Sequence, residues 1–189
     1  MKKDVKDFLC KVHSDFEFTK NQIRWKQSYG DVVFFNKCVS RLKKLGVKLI
    51  LDIACGEGQF VKLCNENYKI EAYGIDPLGN KDSNIYQGTF NGVINNQKLL
   101  GHKSFDCITL HNTLHGKGFK DDKVMNLLNF MMKHGKYIVI SDPIQNPNVT
   151  IPKELTQVHL FDKSHGGKNV FPGKIVFSKT VSHKIYKVD

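Results

Sequence analysis

The chain is short of acid. Its 189 residues carry 18 Asp and Glu against 29 Lys and Arg, a formal charge of +11 at pH 7. Such a surface draws anions, whether nucleic acid, an acidic lipid surface or a phosphorylated small molecule, without choosing among them. The basic residues form no long run and no arginine-rich or aromatic-interleaved track, so they read as a solvated surface, and a nucleic-acid partner has no specific support. Also missing is any apolar stretch of membrane-spanning length. Met1-Lys2-Lys3-Asp4 leads into a charged amphipathic segment rather than the apolar centre of a signal peptide, and a cytoplasmic protein with no membrane partner is expected. The five cysteines, at 10, 38, 55, 64 and 107, have no CxxC spacing. Reduced thiols are therefore expected, with neither a disulfide framework nor a metal site. No repeat or low-complexity segment is visible. The length suits one domain with a sizeable core and leaves little for a separate recognition domain, so a substrate site has to come from local insertions.

The chain does hold a strand running into a glycine turn, at Leu49 to Phe60. Leu49, Ile50, Leu51 and Ile53 make the short apolar run of a buried parallel strand. Gly56 and Gly58 follow at once and let a ligand approach the backbone, while Asp52 sets a carboxylate at the strand's carboxyl end, the edge where ligands sit in an open α/β sheet. A short glycine motif alone also fits an ordinary tight turn. A second apolar stretch, Ala72 to Ile75, ends in Asp76-Pro77 and adds an acidic residue placed to accept the hydrogen bonds of a ribose diol.

Asp52-Ile53-Ala54-Cys55-Gly56-Glu57-Gly58 resembles the first motif of the class I S-adenosylmethionine-dependent methyltransferases, with Ala54 in place of the first glycine. Asp76 matches their ribose-binding acid. Phe105 to His115 is similar to their fourth strand and its exit loop, and Lys136 to Pro143 to their fifth strand, so the resemblance runs from Leu49 to Pro143 in the family's order. It implies a Rossmann-like α/β fold, a mostly parallel, doubly wound sheet with a C-terminal antiparallel hairpin. It also implies S-adenosylmethionine as cofactor, with S-adenosylhomocysteine as product. The cofactor contacts implied are Asp52, Ala54, Cys55, Gly56, Gly58, Asp76, Pro77, Thr89, Phe90 and His111. Gln87-Gly88-Thr89-Phe90 departs from the family where many members carry Gly-Asp, so Thr89 or a backbone group has to meet the adenine instead.

A single domain over 1–189 is expected, with an N-terminal helical lid and first helix over 1–46, a cofactor-binding core over 47–143, and substrate loops and closing strands over 144–189. Asp4 to Lys26 reads as one or two short helices. Arg24, Trp25 and Tyr29 suit a lid over a planar or anionic substrate, although Trp25 fits equally well as an anchor to the core. Val32, Phe35, Cys38, Val39, Leu42 and Leu45 recur at helical spacing up to Gly46. A helix is expected over Phe60 to Glu66, a weak one over Val93 to Leu100, and a third from Asp121-Asp122 to Gly135. Beyond it, Asp142 to Pro152 and Asp162 to Gly173 read as long loops, where Asp142 and His165 are candidate substrate contacts. Leu155 to Phe161, Lys174 to Val181 and Ser182 to Val188 alternate as closing strands, the last two as a hairpin.

His111 and His115 are the candidates for proton handling, since imidazole titrates near neutral pH and can take a hydroxyl proton as a methyl arrives. Either ring fits a structural role equally well. The acceptor expected is a small polar or anionic metabolite methylated on oxygen, such as a sugar, a nucleotide-linked sugar or a phosphorylated compound. RNA is the alternative on charge, and His111-Asn112-Thr113-Leu114 lacks the Asn-Pro-Pro-aromatic signature of amino-directed nucleic-acid methyltransferases. A non-catalytic cofactor-binding module and a nicotinamide-dependent oxidoreductase are further alternatives. Gly56-Glu57-Gly58-Gln59-Phe60-Val61 lacks the third glycine of the dinucleotide pattern.

Overall fold

The structure is a computed structural model that describes residues 2–17, 32–79, 84–111, 113, 121–143, 152–161, 168–171, 174–177 and 181–188. A seven-stranded sheet organises it. In chain order the strands are β1 (Leu49–Ile53), β2 (Glu71–Asp76), β3 (Ile85–Gln87), β4 (Phe105–His111), β5 (Gly135–Pro143), β6 (Leu155–Phe161), β7 (Lys168–Phe171), β8 (Lys174–Phe177) and β9 (Val181–Val188). The sheet order is β3-β2-β1-β4-β5-β9-β6, parallel from β3 through β5 and antiparallel at β9 and β6. The order reverses at β1 and β4. Their shared carboxyl edge is the crevice that a doubly wound sheet offers to ligands.

Residues of β1 and β4 face alternate sides, as the period of a strand requires. Leu49, Leu51, Ile53, Ile108 and Leu110 join one buried cluster with α1 (Lys3–Ser14) and α5 (Asp121–His134). Ile50 and Cys107 join the other with α2 (Val32–Lys44) and α3 (Gln59–Leu63). A further short helix, α4 (Phe90–Asn96), packs against α1 and α5. Both faces are thus covered, and β1 is buried along its whole length.

The N-terminal helix is scaffold. Val5, Phe8, Leu9 and Val12, spaced along one stripe, are all buried, and burial of each contributes about 1.5–3 kcal/mol. The end of α1 is tied to the β3 tip, where His13 Nδ1 accepts the Gln87 N–H at 3.1 Å, and Asp15 accepts from Asn96 Nδ2 at 3.1 Å. The lid expected around Arg24, Trp25 and Tyr29 lies outside the described residues.

Three local expectations are corrected. Helix α3 is a single α-turn that passes into a π-turn at Cys64–Tyr68, where Lys69 turns left-handed at φ 56°. Asn65 holds this turn to the sheet, since its Nδ2 donates to Val61 O and Ala72 O and its Oδ1 accepts the Ala72 N–H. The weak helix starts earlier, at Phe90, because Thr89 caps it by accepting the Gly92 N–H, and a 3₁₀ turn at Gln97–Leu99 closes it. Finally, Lys174–Phe177 does not pair with the C-terminal strand. It forms a separate hairpin with Lys168–Phe171, inside the stretch read as a loop, while β9 inserts between β5 and β6. Period-two alternation marks a strand without naming its partner.

Candidate active site

The turn from β1 to α3, residues Ala54 to Gly58, is built on the end of β2. Ala54 and Cys55 both donate their N–H to Ile75 O, at 2.8 and 3.3 Å. The Gly56 N–H donates to Asp76 Oδ2 at 3.0 Å, and the Leu78 N–H to Asp76 Oδ1 at 2.8 Å. One carboxylate thus ties the glycine turn to the following strand. Each oxygen keeps a second lone pair, and the residue is 8% exposed at the sheet's edge, so a ribose diol can still donate to it. Burial raises the Asp76 carboxyl above the usual carboxylate range, and the two N–H donors hold it down.

Glycine is required here for two reasons. Gly56 and Gly58 have φ of 58° and 79°, in the left-handed region, and a Cβ on Gly58 would collide with Ile85 Cδ1. Ala54 also stands at φ 58°, at the position where the resembling family carries its first glycine. An alanine there is strained by about 1 kcal/mol, and Ala54→Gly is expected to raise stability by up to about that amount in urea melts.

Asp52 is 2% exposed and faces the α2 and α3 side. Its register partner on β4 is Thr109, whose Oγ1 donates to Asp52 Oδ1 at 2.7 Å. Burial pushes the Asp52 carboxyl up to about 7, the Thr109 hydroxyl pulls against it, and the Asp76 charge adds to the rise. The folded protein therefore holds this proton more tightly than the unfolded chain, and the contribution of Asp52 to stability falls as pH rises from about 4 to 7. Ligand-free Asp52→Asn escapes that loss, and denaturant melts are expected to find it more stable than wild type by about 1–3 kcal/mol at pH 8, with little difference at pH 4.

At the end of β4, His111 sits among three phenylalanines. Its ring centroid lies 4.6 Å from that of Phe60, 5.2 Å from Phe35 and 5.9 Å from Phe34. Helices α2 and α3 thereby fix the imidazole at the sheet edge beside the glycine turn. Phe34 and Thr109 did not figure among the sequence candidates. The β4 alternation Cys107, Thr109, His111, set against β1, carries the signal for Thr109.

Asp52, Ala54, Cys55, Gly56, Gly58, Asp76, Pro77 and His111 thus gather on one edge. Pro77 opens the turn in which the Gly79 N–H reaches Asp76 O at 3.1 Å. Thr89 and Phe90 follow the tip of β3, with the Thr89 oxygen engaged as a helix cap and Phe90 packed against the core. Arg24, Trp25, Tyr29, His115 and His165 lie outside the described residues, and Asp142 is described only as backbone, in β5 opposite Ser182. No helix among the described residues is long and apolar enough to cross a membrane.

The geometry fits a nucleoside joined to an amino acid. A carboxylate with spare lone pairs stands at one strand tip, and a glycine-lined backbone at its neighbour. Comparison with known proteins agrees. A family model described as "Methyltransferase domain" matches residues 34–174. No curated protein matches. Among solved structures, an S-adenosylmethionine-dependent methyltransferase from Archaeoglobus fulgidus is 19% identical, with 81% of this chain and 94% of that chain covered and a TM-score of 0.50. A candidate RNA methyltransferase from Pyrococcus horikoshii is 11% identical over 100% and 97%, with a TM-score of 0.59. A candidate methyltransferase from Escherichia coli is 14% identical over 88% and 90%, with a TM-score of 0.54. At such identities these structures share the fold. The chain belongs to the methyltransferase-domain family, and the protein is an S-adenosylmethionine-dependent methyltransferase of the class I fold.

Proposed function

We propose that the protein methylates an oxygen of a small polar or anionic metabolite, such as a sugar, a nucleotide-linked sugar or a phosphorylated compound. What supports this reading is the end of β4, where three phenyl rings hold the imidazole of His111, one of the two candidate bases, beside the glycine turn. The sequence then continues His111-Asn112-Thr113-Leu114 without the signature of amino-directed nucleic-acid enzymes.

Bound S-adenosylmethionine supplies a methyl group on a positively charged sulfur that is a good leaving group. In this reading Asp76 accepts the ribose hydroxyls, the Ala54–Gly58 backbone lies against the amino acid part, and Asp52 balances the positive charge. Transfer of that methyl to an acceptor hydroxyl would require a base in the chain to take the hydroxyl's proton. We assign that base to His115, with His111 as the other candidate. Alignment of the reacting atoms supplies up to about 7–11 kcal/mol, and a base about 10² to 10⁴ in rate. Arg24, Trp25, Tyr29, Asp142 and His165 are proposed acceptor contacts. The five cysteines, with no CxxC spacing, suit a reducing cytoplasm.

RNA is the second reading, favoured by the +11 charge. Incubating the protein with methyl-labelled cofactor and, separately, the small-metabolite and RNA fractions of a cell extract decides between them. Label is expected in the metabolite fraction, and label in RNA alone would overturn the small-acceptor proposal.

A further inference from the structure

Among the described residues, the buried surroundings of Asp52 offer its carboxylate one hydroxyl donor, on Thr109, and the His111 imidazole lies two residues further along the same face of β4. The described groups that act on its carboxylate are the Thr109 hydroxyl and the Asp76 carboxylate. The thiols of Cys38 on α2, Cys55 in the turn, Cys64 in the π-turn and Cys107 on β4 each lie near enough to feel its charge. Every one of these thiols is buried, and burial holds each in its neutral form. An ionised carboxylate in such surroundings needs hydrogen-bond donors to persist. Thr109 has no exposed surface, and its 2.7 Å bond lies within the range of a hydroxyl donating to a carboxylate oxygen.

From this arrangement we infer that Thr109 is a positioning residue for cofactor binding, its hydroxyl holding Asp52 in the ionised form that meets the cofactor's positive charge. The inference rests on the role proposed for Asp52. It has a thermodynamic consequence. A cation bound near Asp52 favours the carboxylate over the acid, so binding drives off the Asp52 proton, and affinity rises with pH until the free protein has lost that proton unaided. Removing the hydroxyl favours the acid, and the rise moves to higher pH.

The test is calorimetric titration of S-adenosylmethionine into the whole protein, wild type, Thr109→Val and Thr109→Ser, from pH 5.5 to 8.5. Running each titration in two buffers of different ionisation enthalpy counts the protons released. The cofactor's own amino group titrates near 8 for all three proteins and cancels in the comparison. Wild type is expected to gain affinity up to about pH 7 and to release a fraction of a proton below that. Thr109→Val is expected to move this midpoint up by about one unit and to bind about fivefold more weakly at pH 7, recovering most of the loss by pH 8.5. Thr109→Ser restores the wild-type profile. If Thr109→Val, folded by circular dichroism, weakens binding equally at every pH, or if serine fails to restore the midpoint, Thr109 is a packing residue only and the inference falls. Wild-type binding with no proton release and no pH dependence would overturn the role of Asp52 instead, and no wild-type binding at any pH would overturn both.

Discussion

Asp76→Ala is expected to weaken S-adenosylmethionine binding by about 10² to 10³-fold while the protein stays folded. Two ribose hydroxyls donating to one carboxylate make two charge-assisted bonds, worth about 1.5–3 kcal/mol each, and alanine removes both. The same change strips the Gly56 and Leu78 N–H groups of their acceptor, so the glycine turn loses its tether to β2 as well. Because the carboxylate lies at the sheet edge, water can replace it on those donors, and the fold tolerates the loss. Calorimetric titration beside thermal melts separates the two effects. A loss under about threefold would show that the ribose lies elsewhere.

Gly74→Ala is expected to destabilise the protein by about 1–3 kcal/mol and to disturb the cofactor turn from beneath. Gly74 lies in β2, directly under the turn, where an added Cβ would stand 2.5 Å from Cys55 Sγ, 3.0 Å from Cys55 Cβ and 3.2 Å from Val61 Cγ2. The turn is held by hydrogen bonds to Ile75 O at the end of β2, and β2 by its pairing with β1 and β3, so neither can retreat cheaply. The cause is checkable by a double-mutant cycle. Cys55→Ala removes the nearest of the three atoms and is expected to recover half or more of the loss, a coupling of about 1 kcal/mol in denaturant melts. Additive effects would place the clash elsewhere.

The cofactor edge was legible because its chemistry is local in the chain. Leu49, Ile50, Leu51 and Ile53 form a short apolar run around Asp52, two of the three positive-φ positions of the turn fall on glycines at 56 and 58, and Asp76 closes the next apolar run. What sequence could not supply was the partner of each element. Thr109 matters through its register opposite Asp52, a relation that exists only once β1 and β4 pair. Val12 is one of four apolar residues on a helical stripe, yet its Cγ1 would stand 2.5 Å from a Cβ at Gly88, so the N-terminal helix reserves the space beside the β3 tip. A helical pattern reports that a face is buried, not which surface buries it. The C-terminal strands failed for the same reason. Lys174 to Phe177 and Val181 to Val188 both alternate, but the longer one is drawn into the sheet between β5 and β6, leaving the shorter to pair with Lys168 to Phe171.

The central claim is that the cofactor spans the tips of β1 and β2. A crystal structure of the protein grown with S-adenosylhomocysteine tests it most directly. The expected result is both ribose hydroxyls within hydrogen-bond distance of the Asp76 carboxylate and the amino acid end running along the backbone from Ala54 to Gly58. A nucleoside bound away from Asp76, with the carboxylate still serving only Gly56 and Leu78, would contradict it.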